Sequence, residues 1–239
     1  MISPPATGAP IHTSRTDERS ALGGLLKRKE TWTLTWRGWM IALLLTAAFL
    51  AIGLWRVHPF LALNRPTKAE DLVVEGWIPE YALQKSVDEF QSHPYRRIFT
   101  SGGPVSAVGS PAADDDTYAY VAASRLRKLG LERSVVQMVP ANATDRDRTY
   151  SSAVALRKWL NERGVSPHSI NVVTLGVHAR RTRLLYEKAF GDDVTVGVIA
   201  VEDREYNPRR WWRYSEGVRE VISEGVAYLY ARFLFHPAQ

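Results

Sequence analysis

The stretch from Ile170 to Gly191 constrains the fold of this chain most, because it combines a buried strand, a glycine turn and a helix. Val172 and Val173 belong to a run apolar enough for a strand covered on both faces, as in a parallel sheet. Gly176 permits a tight turn after that strand, and Gly191 suits the end of the following helix. The stretch therefore predicts one strand–turn–helix unit of an α/β protein.

The same alternation of strand and helix recurs from Glu70 onward. Five successive units predict a doubly wound, Rossmann-like α/β fold with a mostly parallel five-stranded sheet and helices on both faces. The chain is expected to close with one long helix over Pro208–Phe235. Its apolar face would carry Val218, Val221, Ile222, Val226, Leu229 and Phe233.

An uncharged run from Gly38 to Trp55 lies between Arg37 and Arg56. About 18 residues at a rise of about 1.5 Å span roughly 27 Å, which is enough to cross a bilayer core. Tryptophans at both ends of the run suit the membrane interface. No small-residue cleavage site follows it, so the sequence predicts an uncleaved, single-pass transmembrane helix rather than a signal peptide.

Basic residues flank this run more densely on its N-terminal side, which favours an N-terminus inside the cytoplasm. The large domain is then expected on the outer side of the cytoplasmic membrane, in the periplasm or its equivalent. The sequence therefore predicts three regions. They are a disordered cytoplasmic tail (residues 1–30), the transmembrane anchor with its flanks (residues 31–57) and the α/β domain (residues 58–239).

The charge balance limits the class of partner. The chain has 31 Lys and Arg against 25 Asp and Glu, a net charge of +6. The basic residues are grouped locally, which favours a membrane surface or an anionic small molecule over nucleic acid. No cysteine is present, which excludes disulfides and thiolate chemistry. Without cysteine and without an HExxH motif, no metal site is expected.

Ligands of open parallel sheets bind beyond the carboxyl ends of the strands. The loops predicted to reach that edge carry glycine or polar side chains, and they supply the candidate ligand-binding residues. These are Glu75, Gly76, Ser101, Gly102, Gly103, Asn142, Thr149, Arg180, Arg181 and Arg183. His178, Asp145 and Asp147 are the candidate catalytic residues, because histidine titrates near neutral pH and a carboxylate can orient it.

Three arginines open the helix that follows His178. Cations at a helix N-terminus oppose the helix dipole, so these residues are expected to serve function rather than helix stability. Arg181 would be the main clamp for an anionic group, assisted by Arg180 or Arg183 and by the backbone amides of Gly102 and Gly103. The alternative is a solvated basic face with His178 as a hydrogen-bonded turn residue.

Several known motifs are missing around the glycine turn at Ser101. The turn lacks the Gly-Lys-Ser/Thr of a P-loop and the GxGxxG of dinucleotide-binding proteins. Ser101 is also outside any GxSxG motif, so a hydrolase nucleophile is not indicated. The cofactor, if there is one, stays unknown.

The motifs at the ends of the predicted strands, taken in chain order, resemble those of the YdcF-like family, which includes the SanA and ElyC envelope factors. The resemblance covers roughly residues 70–201. Gly76 matches the first family glycine, Ser101-Gly102-Gly103 the later SGG element, Thr149 the family threonine, and His178 with Arg181 the last motif. Arg148 departs from the usual asparagine before that threonine.

The resemblance implies a Rossmann-like fold and a role in bacterial envelope or cell-wall biogenesis. Together with the arginines, it leads to the expectation of a phosphorylated or anionic ligand, which could be a lipid-linked precursor. Whether the protein is an enzyme stays open. Two alternatives are a non-catalytic envelope interaction module and a protein that binds a nucleotide-derived cofactor.

Overall fold

A computed structural model describes residues 20–21, 26–27, 33–105, 116–144 and 146–237. By its internal contacts the chain divides into one unit of residues 1–49 and a second of residues 50–239. In the first unit, Ser20–Ala21 pairs antiparallel with Leu26–Lys27. The rest of the predicted 1–30 tail lies outside the described residues.

Helix α1 spans Trp36–Leu61 and has 26 residues. It is long and apolar enough to cross a membrane, and none of its most apolar window is buried within the protein. At about 1.5 Å per residue it reaches roughly 39 Å, more than the roughly 30 Å of a bilayer core. The predicted helix is therefore confirmed, and it continues past Trp55 to Leu61.

Five parallel strands form the sheet of the second unit, as the sequence predicts. They are β1 (Asp71–Glu75), β2 (Arg97–Gly102), β3 (Val136–Pro140), β4 (Ser169–Leu175) and β5 (Thr195–Val201). Their order in the sheet is β3-β2-β1-β4-β5, and every neighbouring pair is parallel. The strand order reverses between β1 and β4, which marks the topological switch point of the sheet.

Helices cover both faces of this sheet. They are α2 (Glu80–Ser92), α3 (Tyr118–Lys128), α4 (Arg148–Glu162) and α5 (Ala179–Phe190). Leu72 and Val74 pack with residues of α2 and α3, whereas Val73 packs with residues of α4 and α5. Successive strand residues point to opposite faces, so β1 is buried on both sides.

The C-terminal segment differs from the expected single helix. It comprises a 3₁₀ helix (Pro208–Arg213), helix α6 (Ser215–Leu229) and one π-helical turn (Tyr230–Leu234). The predicted apolar face is also wrong, since Val221 is buried but Ile222, Val226, Leu229 and Phe233 are all more than half exposed. The face that packs on the domain instead carries Gly217, Val221 and Glu224.

The segment between α1 and β1 runs along β5 in the opposite direction. Arg65 and Val198 exchange two backbone hydrogen bonds of 2.8 and 3.0 Å. The Asn171 side chain donates to the Thr67 carbonyl at 2.8 Å and accepts from the Thr67 amide at 2.9 Å. The chain thus leaves α1 at the carboxyl edge of the sheet and returns to the amino edge before β1 begins.

Candidate ligand-binding site at the carboxyl edge of the sheet

The loops after β1 and β4 flank the topological switch point of the sheet, where folds of this class have their ligand crevice. Trp77 follows β1 and is 39% exposed, while His178 ends the 3₁₀ turn after β4. The two rings meet edge to face, with 4.9 Å between their centroids. A pair of this kind at the switch point lies where α/β sheets bind their ligands.

Glu75 is the last residue of β1, two positions before Trp77, and is 3% exposed. The Thr174 hydroxyl donates a short hydrogen bond to its Oε2 atom. The Thr182 hydroxyl lies 3.3 Å from the same oxygen. A buried carboxylate needs such donors to offset its lost hydration. Glu75 is therefore held inside the protein, and direct contact between Glu75 and a ligand stays a prediction.

His178, Arg181 and Glu224 form a largely buried network at this edge of the sheet. Arg181 donates to Glu224 from Nε at 2.8 Å and from Nη2 at 3.0 Å. His178 Nδ1 lies 2.8 Å from Glu224 Oε1, and Arg181 Nη2 lies 2.9 Å from His178 Nε2. Both ring nitrogens of His178 are thus occupied, so proton transfer at Nε2 requires Arg181 to move aside.

The network shifts the acidity of its members. Burial alone would raise the pKa of Glu224, but hydrogen bonds from His178 and Arg181 and their charges outweigh it and lower the pKa to about 2. Burial opposes the charge of Arg181, yet Glu224, and then Glu75 and Asp147, raise the pKa of Arg181 above its usual value. Arg181 therefore lies within the field of three carboxylates.

The three arginines at the start of α5 do not converge. Arg180 donates to the Phe60 carbonyl and stacks on the Phe60 ring with 3.9 Å from Cζ to the ring centroid. Arg183 donates to the Val196 carbonyl at 3.0 Å and pairs with Glu187 on its own helix. Arg181 is only 16% exposed in its side chain, so the alternative of a solvated basic face does not hold for this residue.

The glycine-rich strand ends accommodate the first turn of α3. A Cβ atom on Gly76 would lie 2.3 Å from the Tyr118 carbonyl oxygen, and one on Gly102 would lie 2.7 Å from Tyr118 Cβ. Gly103 is different, because its Cβ would meet only ordinary contacts at 3.5 Å or more. Packing against α3 thus explains two of the three glycines, and anion binding by the amides of Gly102 and Gly103 stays a prediction.

Ser101 lies inside the fold rather than at its surface. Its side chain is 1% exposed, and its hydroxyl is 3.0 Å from the hydroxyl of Tyr186. Burial, and then the nearby Glu75 charge, raise the pKa of Tyr186. The Ser101 carbonyl also accepts a 2.7 Å hydrogen bond from the Gly76 amide. These contacts tie β2 to the loop after β1.

The loop before α4 brings a strained residue to the same edge. Asp147 has a left-handed backbone with φ of 54° and ψ of 38°, and its side chain does not cap α4. Its charge nevertheless reaches Arg181. Left-handed backbone costs free energy in residues other than glycine and is frequent at functional sites. Asn142 is exposed, Thr149 lies in the first turn of α4 without capping it, and Asp145 lies outside the described residues.

The end of α1 lies directly beside this edge. Leu61, Val177 and Tyr206 belong to one buried cluster, and Val177 immediately precedes His178. His58 Nε2 lies 3.3 Å from the Tyr206 hydroxyl. Together with the contact of Arg180 on Phe60, these interactions place the crevice next to the point where α1 enters the domain.

Four residues of the site were not among the candidate residues selected from the sequence, and they are Trp77, Thr174, Thr182 and Glu224. Glu224 could have been recognised, because it is a single charge on the face of α6 that carries Gly217 and Val221. Trp77 directly follows a predicted strand end, and this position also indicates the carboxyl edge of the sheet. The two threonines carry no sequence signal of their own, since their partner Glu75 is about a hundred residues away in the chain.

Within the described part of the chain, no group of three or more His, Asp or Glu side chains could hold a metal ion. No protein-family model, no curated protein and no solved structure matches this chain.

Proposed function

We propose that this chain is a membrane-anchored α/β protein of the bacterial envelope that binds a phosphorylated or otherwise anionic lipid-linked ligand in the crevice between Trp77 and the start of α5. The proposal joins the YdcF-like resemblance to one structural observation. That observation is the contact of the crevice with the end of the apolar helix α1, through Leu61 and Val177.

A ligand with a lipid tail is favoured by this placement. A helix apolar enough to span a membrane ends within the cluster that underlies His178. A headgroup that protrudes from the same bilayer could then enter the crevice while its tail stays in the lipid. Trp77 offers an exposed aromatic face for the apolar part of such a ligand.

An anionic headgroup is favoured by the free part of the Arg181 guanidinium. Its Nε and Nη2 atoms are bound to Glu224 and His178, whereas Nη1 makes no hydrogen bond within the described part of the chain. A guanidinium held in place by one carboxylate loses little freedom when it binds a second anion. Displacement of Nη2 by a ligand would also release His178 Nε2 for proton transfer.

Calorimetric titration of the full chain in nanodiscs with farnesyl phosphate tests the proposal. Farnesyl phosphate is expected to bind about 10- to 150-fold more tightly than farnesol, as a charged hydrogen bond contributes about 1.5–3 kcal/mol. Inorganic phosphate alone and ADP should bind more weakly than farnesyl phosphate. Tighter binding of ADP would favour the nucleotide alternative, and equal binding of farnesol would contradict an anionic headgroup.

The variant Trp77→Ala locates the site. Trp77 is partly exposed, so its loss should leave the fold intact and weaken farnesyl phosphate by up to about tenfold. Phe233→Ala is the control, since Phe233 is an exposed aromatic residue of the π-helical turn, which lies near the end of α5 rather than at its start. Equal effects of the two substitutions would exclude the crevice.

A non-catalytic interaction module is the second candidate, and one observation favours it. Arg181 already lies among Glu224, Glu75 and Asp147, which neutralise its charge without a ligand. Complementation of an envelope defect separates the two functions. If Trp77→Ala and His178→Gln both complement fully and melt like the parent chain, the crevice is dispensable and the interaction module is favoured.

A further inference from the structure

The 3₁₀ helix Pro208–Arg213 lies against α1 where the apolar run of that helix ends. The indole nitrogen of Trp211 donates to the Leu54 carbonyl at 3.2 Å, and Trp211 is 5% exposed. Leu54 and Trp55 are the last residues of the uncharged run before Arg56. In a helix that crosses a bilayer, this level corresponds to the boundary between lipid tails and headgroups.

Aromatic side chains next to Trp211 remain exposed at this level. Trp212 is 38% exposed and meets Trp211 edge to face at 5.9 Å, and Tyr214 is 41% exposed. On α1, Trp55 is 65% exposed. Tryptophan and tyrosine favour the membrane interface, because one part of each ring system is apolar and another forms hydrogen bonds.

The cations of this segment are not all equivalent. Arg209 and Tyr214 line a cavity of about 690 Å³ together with the acidic residues Glu202, Asp203 and Glu205, whereas Arg210 and Arg213 do not line it. Arg210 and Arg213 are exposed, and neither forms an ion pair within the described part of the chain. These two arginines are therefore available to an external anion.

We infer that residues 208–214 form a second membrane contact, in which Trp212 and Tyr214 enter the interface and Arg210 and Arg213 bind anionic phospholipid headgroups. The bilayer is the expected partner because the segment is hydrogen-bonded to the apolar helix itself, and because its exposed charge is opposite to that of the headgroups. The inference rests on the proposed anchoring by α1.

This contact would fix the orientation of the domain on the membrane. Trp211 shares a buried cluster with Leu61 and Val177, so the 3₁₀ helix and the crevice belong to one packed body. With α1 as its single contact, the domain could rotate about the helix axis. With α1 and residues 208–214 both in contact, the carboxyl edge of the sheet would stay toward the lipid surface.

Site-directed fluorescence labelling tests the inference. The chain has no native cysteine, so a label attaches only to the cysteine that is introduced. A bimane label is introduced by Tyr214→Cys in the full chain, which is inserted into nanodiscs that contain brominated phosphatidylcholine and phosphatidylglycerol. Lys128→Cys is the control, because Lys128 ends α3 at the amino edge of the sheet. The label at 214 should be quenched by the brominated lipid, and the label at 128 should not.

Charge variants test the headgroup contact. In the Tyr214→Cys background, the double substitution Arg210→Gln and Arg213→Gln should lower the equilibrium constant for membrane contact of this segment by up to about 25-fold. Each arginine contributes about fivefold to that constant near an anionic membrane. The reduction should vanish in nanodiscs of phosphatidylcholine alone. Arg209→Gln is the matched control and should change quenching little. An equal effect of Arg209→Gln would overturn the roles of Arg210 and Arg213.

Two further results would overturn the inference in distinguishable ways. If alkaline carbonate extracts the chain from membranes, α1 does not anchor it, and both the anchoring and the second contact fail. If the chain resists carbonate while the labels at 214 and 128 are quenched equally, the anchoring stands and the second contact alone is wrong.

Discussion

Glu224 of α6 accepts two hydrogen bonds from Arg181 of α5, with distances of 2.8 Å to Nε and 3.0 Å to Nη2. The planar guanidinium fork matches the carboxylate and fixes both side chains. The same carboxylate lies 2.8 Å from His178 Nδ1. The C-terminal helix therefore sets the position of the histidine at the crevice, although it contributes no strand or loop to the sheet edge.

Glu224→Gln should destabilise the protein. It removes the charge that compensates a buried guanidinium, and we expect the free energy of unfolding to fall by about 2–3 kcal/mol. Glu220→Gln on the same helix is the control, since Glu220 pairs with Arg219 near the surface and should contribute about 0–1 kcal/mol. Chemical denaturation of the two variants in detergent measures the difference. Equal losses would mean that the buried network does not stabilise the fold.

Acid should weaken the fold through the same carboxylate. The pKa of Glu224 is lowered to about 2 in the folded state from an ordinary 4.5, so its ionised form is favoured by folding. Its contribution is complete above about pH 4.5 and is lost as the pH falls toward about 2, with a size of up to about 3 kcal/mol. Melting temperatures between pH 6 and pH 2 should therefore fall less steeply in Glu224→Gln than in the parent chain. Parallel curves would contradict the assignment.

Gly76→Ala should be far more disruptive than Gly103→Ala. The new Cβ of the first variant would lie 2.3 Å from the Tyr118 carbonyl oxygen, so α3 must shift at a cost of about 1–3 kcal/mol or more. The second variant meets its nearest neighbour at 3.5 Å, an ordinary contact. Thermal melts compare the two. If Gly103→Ala is the more damaging substitution, close packing on α3 does not explain the glycine at β1.

The large domain should lie outside the cytoplasm. The basic residues Lys27, Arg28, Lys29 and Arg37 precede the apolar run closely, and such residues are retained on the cytoplasmic side. Fusions of alkaline phosphatase and β-galactosidase after Gln239 measure the orientation. Phosphatase activity alone is the expected result, and β-galactosidase activity alone would reverse the topology.

The sheet could be predicted from the sequence because each strand is an apolar run that ends at a polar or glycine-rich turn. Val172 and Val173 are buried in β4, and Gly176 follows the strand with φ of 44°. The parallel arrangement follows from the helices between the strands, which carry the chain back to the same edge. These signals are local, so they are readable without knowledge of the tertiary contacts.

The arrangement of the arginines could not be predicted from the sequence in the same way. Arg180, Arg181 and Arg183 are neighbours in the sequence, but successive helix residues are about 100° apart around the axis. Their partners lie on α1, on α6 and on β5, respectively. The pairing of Glu224 with Arg181 could not be predicted either, because Arg181 lies 43 residues earlier in the chain.

The backbone pairing of Arg65 with Val198 bears on how neighbouring copies of the proposed membrane-anchored chain would interact. An uncovered edge strand offers free amides and carbonyls to a second sheet, which is a route to aggregation. Here the connecting segment pairs with the outer edge of β5 at Val198, and the Asn171 side chain holds the segment through two hydrogen bonds with Thr67. The opposite edge strand, β3, ends at Pro140, which has no amide hydrogen to donate. In the membrane-anchored state proposed above, copies of the chain would meet often and with similar orientation. The segment paired at Val198 and the proline at the end of β3 would each oppose strand-to-strand joining in those encounters.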